Sequence, residues 1–414
     1  MHRFKYKGPN LYCENVSVGQ IAKRVGTPVY IYSKNTLLDH YDKIQEALKE
    51  AEPLICFSVK SNSNLSVLRT LVKRGAGLDV VSGGELYRAK LVKADPRKIV
   101  YAGVGKKRDE IMDALRYGIL FFNVESQEEL ELLNRCASEL GRKVNAAIRI
   151  NPDVEVDTHD YITTGKHQSK FGVDFPTVKN IFRLMWKYRN VEIKGVHVHI
   201  GSQILSPKPF QAAIAKVLRF LEDNRIFVEY LNIGGGLGIV YSFEKPQTAS
   251  SFARKILPLV KKSKLRLILE PGRFISGNSG IMVTRVLYRK KTGYKKFIIV
   301  DSGMNDLIRP SLYEAYHTIL PVRKPKRVSK KAKYDVVGPI CESGDFLAKE
   351  RIMQSFKQGD LLAVMGAGAY GYTMSSNYNS RPRAAEVMVD GSRFFIAKKR
   401  ETYKDLVRGE TAGV

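Results

Sequence analysis

Long apolar runs are missing from this chain of 414 residues. None approaches the roughly 18 consecutive apolar residues that a membrane-spanning helix needs. The opening MHRFKYKGPN also lacks the apolar stretch of a secretory signal. Both absences argue against a membrane partner and lead to the expectation of a cytoplasmic protein. Cysteine is scarce as well. Cys13, Cys56, Cys136 and Cys341 are scattered, with no CxxC pair and no histidine at ligand spacing. That excludes a disulfide framework and a zinc site of familiar spacing, so no metal is expected, and it fits a reducing compartment. Three of the four lie among apolar or helical residues and read as packing. Cys341 differs, because it opens the polar string Cys341-Glu342-Ser343-Gly344-Asp345. Acidic residues are few: 41 against 69 lysines and arginines, a formal net charge of +28.

What is present is an ordinary globular composition, 44% hydrophobic and 27% charged, which a disordered chain would not carry. The length suits two domains, or one large barrel with an appendage. The densest basic run is Arg323-Lys324-Pro325-Lys326-Arg327, continued by Lys330, Lys331 and Lys333. No aromatic residue that could stack on a base interrupts it, so it reads as a solvated loop, and nucleic acid is not expected as a partner.

Over the first two-thirds of the chain, short β-branched runs alternate with helical patterns. The runs are Leu54–Val59, Leu78–Val81, Ile99–Ala102, Leu120–Val124, Ala146–Ile150, Ile193–Ile200, Val228–Ile233 and Leu265–Leu269. Between them, apolar residues recur at three- and four-residue spacing, as in Leu130, Leu133 and Ala137. Eight such repeats in roughly 240 residues predict a closed (β/α)8 barrel. A doubly wound sheet would carry its glycine fingerprint after the first strand. Here Lys60-Ser61-Asn62 follows the first strand, and Gly234-Gly235-Gly236 follows the seventh. Beyond about residue 275 the runs are strand-like and separated by turn residues, which predicts a mainly β domain. The expected division is a barrel over 31–275, with 1–30 and 276–414 forming the β domain.

Residues at the C-terminal ends of barrel strands converge on one site. In order these are Lys60, Asp79, Asn123, Arg149, His199, Gly234–Gly236 and Glu270–Arg273. A lysine closing a buried strand is partly desolvated, which lowers its pKa and favours Schiff-base chemistry. A glycine cluster after strand seven lets backbone N–H groups approach a phosphate. Taken singly, each has a plainer reading: a lysine reaching solvent, a tight turn, a core histidine.

Six segments carry a resemblance. Ser58-Val59-Lys60-Ser61-Asn62, the run Gly77 to Glu85, His197-Val198-His199-Ile200-Gly201-Ser202-Gln203, Gly234-Gly235-Gly236, Glu270-Pro271-Gly272-Arg273 and Cys341 to Asp345 resemble the motifs of fold-type III pyridoxal-phosphate-dependent decarboxylases. Among these, the diaminopimelate decarboxylases are most similar, and the resemblance spans nearly the whole chain. It implies a barrel with a β domain, and a homodimer whose active sites are shared between subunits. It implies pyridoxal 5'-phosphate as cofactor, bound to Lys60. Glu270 would face the pyridine nitrogen and His199 would stack on the ring. Ser202, Gly235, Gly236, Pro271, Gly272 and Arg273 would hold phosphate and ring, with Tyr370, Asp79 and Glu85 nearby. The substrate, meso-2,6-diaminopimelate, would meet Arg273, Arg309, Tyr313, Glu342 and Tyr370, because a second amino-acid centre needs cations for its carboxylate and an anion for its ammonium. Cys341, from the partner subunit, would protonate Cα to give L-lysine.

Decarboxylases of ornithine or arginine would want an acidic pocket where Arg309 stands, whereas carboxynorspermidine stays open as a substrate. An alanine racemase would place an arginine where this chain has Glu270. A cofactor carrier or a nucleic-acid binder is the non-enzymatic alternative.

Overall fold

The computed structural model describes residues 2–154, 170–325 and 330–411. Lys326 and Arg327 of the basic run lie outside the described residues. The chain divides into two compact units, one of Asp39–Ile239 with Lys245–Phe274, the other of Met1–Leu38, Val240–Glu244 and Ile275–Val414.

The first unit is a closed barrel of parallel strands. In chain order its strands are Leu54–Ser58, Gly77–Val80, Ile99–Tyr101, Phe121–Val124, Val144–Arg149, Val191–His197, Tyr230–Asn232 and Arg266–Leu269. Pairing of Ile268 with Leu54 closes the ring. Helices such as Leu65–Arg74, Arg108–Tyr117 and Gln127–Glu139 return the chain between strands. They start where the sequence offers an acceptor: the Asn64, Ser82 and Ser126 side chains accept from Ser66, Glu85 and Glu129 N–H groups. They stop at Gly75 and Gly118, which take the left-handed φ of +108° and +77° that a side chain would resist. Each buries one apolar stripe, for example Ile111, Met112, Ala114 and Leu115.

The barrel interior follows from the two-residue period of a strand. Cys56, Val100, Phe121, Ala147 and Ile268 form a buried apolar cluster, with Tyr230 packed against it. Two residues further along the same faces stand Ser58, Ala102, Asn123, Arg149, Glu270 and Asn232. Gly77 and Gly195, register partners of Cys56 and Ala147, are followed in the same way by Asp79 and His197. One step of the pleat thus takes the interior from an apolar floor to a buried polar ceiling.

In the second unit the long strand Gly280–Lys291 pairs with Val29–Ser33, Lys296–Val300 and Leu361–Val364. Val29–Ser33 also pairs in parallel with Ala385–Asp390. For that reason residues 31–38 belong to the β unit, and the boundary falls at 38/39, later than the expected 30/31. The N-terminal strands Phe4–Lys7, Asn10–Cys13 and Val16–Ser17 form a small sheet whose apolar side joins Val29, Ile31, Ile281, Val283 and Val387 in one core.

Candidate active site

The polar ceiling of the barrel is built around two buried carboxyl groups. Glu270 Oε1 accepts from Asn123 Nδ2 at 2.9 Å and from Asn232 Nδ2 at 2.6 Å. His197 Nε2 lies 3.2 Å from Glu270 Oε2. Burial pushes the Glu270 carboxyl up, but His197, Lys60 and the Asn232 amide outweigh it and hold the group well below the usual carboxylate range. Asp79 Oδ2 accepts from Ser58 Oγ at 2.5 Å and from Lys60 Nζ at 2.8 Å. Burial raises the Asp79 pKa, Lys60 lowers it, and Glu270 adds to the rise. The first barrel strand ends at Ser58, and Lys60 lies in the 3-10 turn Val59–Ser61 beyond it. Its side chain keeps 37% exposure and ends on a carboxylate instead of an apolar wall.

His199 lies two residues past the end of strand six. Its Nδ1 accepts the Gly235 N–H at 3.1 Å, so a proton on the ring sits on Nε2. Burial, then the charges of Arg149 and Lys60, push its pKa well below the ordinary histidine value, and the ring is neutral. A β-carbon at Gly235 would run into the Glu270 carbonyl oxygen, and one at Gly236, where φ is +104°, into the Gly201 carbonyl oxygen. The glycines are therefore required by close backbone approach. Arg273, buried, donates from Nη2 to Ser202 Oγ at 3.0 Å. The Ser58 N–H donates to Pro271 O at 3.2 Å, and Gly272 lies against Ser58 and Ser61. Glu85, half-buried and accepting from the Val81 N–H, is pushed up to about 7, mainly by desolvation. Arg149 is paired with Glu125 through Nη1 at 3.0 Å to both carboxylate oxygens.

The barrel unit therefore holds Lys60, Asp79, His199, Ser202, Gly235, Gly236, Glu270, Pro271, Gly272 and Arg273. Arg309, Tyr313, Cys341, Glu342 and Tyr370 belong to the β unit. There, Arg309 and Tyr313 are the first and last residues of a one-turn helix, with Arg309 buried. Ser311 Oγ in the same turn donates to Gly344 O at 2.5 Å, tying it to the loop of Cys341 and Glu342. Asp345 fixes that loop by accepting from Ile340 and Met304 N–H groups at 2.7 Å each. The Cys341 N–H donates to Asn379 Oδ1 at 2.7 Å, and its thiol is exposed. Tyr370 adopts a left-handed φ of +55°, the kind of strain retained where a side chain must be aimed.

A parallel barrel with an amine, a buried ionised carboxylate and an arginine-serine-glycine cradle at its polar end is that of a pyridoxal-dependent decarboxylase. Residues 34–277 match the family described as "Pyridoxal-dependent decarboxylase, pyridoxal binding domain". Within that class the chain belongs to the diaminopimelate decarboxylases. It is 48% identical to the diaminopimelate decarboxylase of Aquifex aeolicus, covering 97% of this chain and 96% of that protein. It is 45% identical to that of Pseudomonas aeruginosa, covering 99% of both. The crystal structure of diaminopimelate decarboxylase from Helicobacter pylori complexed with L-lysine superposes with a TM-score of 0.90 at 39% identity, covering 94% of this chain and 98% of that one.

The donor set fits pyridoxal 5'-phosphate. Lys60 would offer the amine, Glu270 would partner a protonated ring nitrogen, and Arg273 with Ser202 and Gly236 would seat the phosphate. Asp79 Oδ1 is buried and takes no hydrogen bond among the described residues, so the site has polar capacity to spare. Ser58 and His197 stand in the motif segments of the sequence without an assigned role there, and Asn232 carries no motif signal; each is the last residue of its barrel strand.

Proposed function

We infer that this protein decarboxylates meso-2,6-diaminopimelate to L-lysine and carbon dioxide, with pyridoxal 5'-phosphate held on Lys60. The observation that carries the reading is the Glu270 network: a buried carboxylate held low in pKa beside two amides and an imidazole. When bound, the cofactor supplies a protonated ring that accepts the electron pair left at Cα as the carboxylate departs. Glu270 keeps that ring nitrogen protonated because its own pKa is held low, so the proton stays on nitrogen and the charges stay paired. Asp79 and Ser58 orient the Lys60 amine. Neutral His199, fixed by the Gly235 N–H, presents a flat face and adds no charge that would compete with the ring.

For the distal end of the substrate we propose Arg273 and Arg309 as carboxylate ligands and Glu342 as acceptor for the ammonium, with Tyr313 and Tyr370 beside them. Cys341 Sγ is the proposed donor of the proton that Cα takes up. We further propose a homodimer in which Cys341 and Glu342 serve the partner's site, and a cytoplasmic setting. Supporting the latter, all four cysteines are free thiols, and no helix among the described residues is long and apolar enough to cross a membrane.

The test is direct. The purified protein, supplied with pyridoxal phosphate and meso-diaminopimelate, releases carbon dioxide and lysine in equal amounts. Lys60→Ala loses both turnover and the borohydride-fixed cofactor adduct. Release of carbon dioxide from ornithine, arginine or carboxynorspermidine, but none from diaminopimelate, overturns the substrate assignment.

A further inference from the structure

The strands Gly280–Lys291 and Lys296–Val300 form a hairpin in which Lys291 stands directly opposite Lys296. Two like charges in register destabilise a sheet. Lys290, Lys291 and Lys296 make no ion pair among the described residues, whereas their neighbours Lys295 and Lys333 are paired with Asp335 and Glu350. Tyr288, Arg289, Lys290, Lys291, Lys296 and Tyr334 line a groove of about 500 Å3, and no acidic residue contributes to its wall. Tyr288 is 62% exposed, and Tyr294 in the hairpin turn is fully exposed. Sequence position hides this arrangement. The basic run ending at Lys333 contains no aromatic residue, but the strand Ala332–Val337 that follows it pairs in parallel with Lys296–Val300, and its Tyr334 lines the same groove as Tyr288. The same parallel pairing puts the groove at the end of these strands opposite the one that leads into Cys341.

We propose that this groove binds single-stranded nucleic acid, its cations on the phosphates and its tyrosine rings against the bases. Clustered unpaired cations call for an anion of repeating charge. A mononucleotide-sized anion leaves most of them unmatched, and an acidic peptide leaves the rings without partners. A backbone of phosphates carrying flat bases answers both features. Because the hairpin supplies none of the proposed catalytic groups, occupancy leaves decarboxylation unchanged.

The test uses the full-length, cofactor-loaded enzyme and a fluorescein-labelled oligouridylate of about 15 nucleotides, followed by anisotropy. Binding is expected at about 50 mM salt, weakening with salt by a logarithmic slope of about 0.7 for each phosphate contacted. Lys290→Glu, Lys291→Glu and Lys296→Glu together abolish it. Tyr288→Ala weakens it about 5- to 150-fold, the range of a lost base–aromatic stack, with the salt slope unchanged. Unaltered release of carbon dioxide by each variant shows that it has folded. Absence of binding overturns the proposal, as does a triple variant that binds like the parent. So does a charge-only pattern, in which heparin or polyglutamate competes as well as unlabelled oligouridylate and Tyr288→Ala changes nothing.

Discussion

Arg309 and His317 are joined in one sense only: Nη1 of the arginine donates to Nε2 of the imidazole across 3.0 Å, because a guanidinium has no acceptor. The ring proton must then sit on Nδ1, which donates to Met365 O at 2.8 Å. Both side chains are buried, and the Tyr241 ring lies 4.7 Å from the guanidinium. The backbone at Met365 thus fixes the imidazole, and the imidazole fixes the fork of Arg309.

If Arg309 holds the distal carboxylate, His317 acts on substrate affinity through it. His317→Ala is expected to raise KM for diaminopimelate about 10- to 100-fold, the range of a lost hydrogen bond to a charged group, with kcat within about twofold. His317→Gln, whose amide oxygen can accept, should restore part of the affinity. A fall in kcat at constant KM would assign His317 to another task.

Gly235→Ala should destabilise the barrel. The added methyl meets the Glu270 carbonyl oxygen, and backbone cannot swing aside as a flexible side chain could. A cost of about 1–3 kcal/mol is expected, read as a fall in Tm of several degrees together with weaker retention of pyridoxal phosphate. A Tm equal to that of the parent would mean that the strand ends shift apart freely.

Asp306 gives stability a pH dependence of known sign. Burial pushes its carboxyl up to about 7, against about 3.9 in an unfolded chain. A raised carboxylate pKa means that the folded state binds the extra proton, so its contribution weakens as pH rises from about 4 to about 7. Asp306→Asn should remove that slope, so that the variant's Tm gains on the parent's over the same range. Parallel Tm profiles for the two proteins would show that Asp306 is ionised throughout.

The proposed shared site is tested by mixing. Lys60→Ala and Cys341→Ala are each expected to be inactive alone. After subunit exchange, about half of the dimers are mixed, and each of these has one intact pocket, so activity should approach about a quarter of the parent's. Exchange shown directly without recovery would place both residues of a pocket on one chain.

The sequence by itself determined the barrel, because eight β-branched runs separated by helical spacing have few other ways to bury their apolar faces. It also marked the strand ends where Lys60, Asp79, Glu270 and Arg273 stand, since charge placed just where an apolar run stops is visible without coordinates. It could not reveal that His197, Asn123 and Asn232 meet around Glu270. Those residues are 38 to 147 positions apart in pairs with Glu270 where a hydrogen bond is formed, and only closure of the barrel brings such distant strand ends together. It grouped the first 30 residues with the C-terminal β domain, but it could not choose Gly280–Lys291 and Ala385–Asp390 as the neighbours of Val29–Ser33, because a buried apolar strand fits any position in a sheet and its partners are chosen by tertiary packing. The groove at Lys291 and Lys296 is of the same kind: strand register, which no local pattern encodes, sets like charges opposite one another and lays tyrosines beside them.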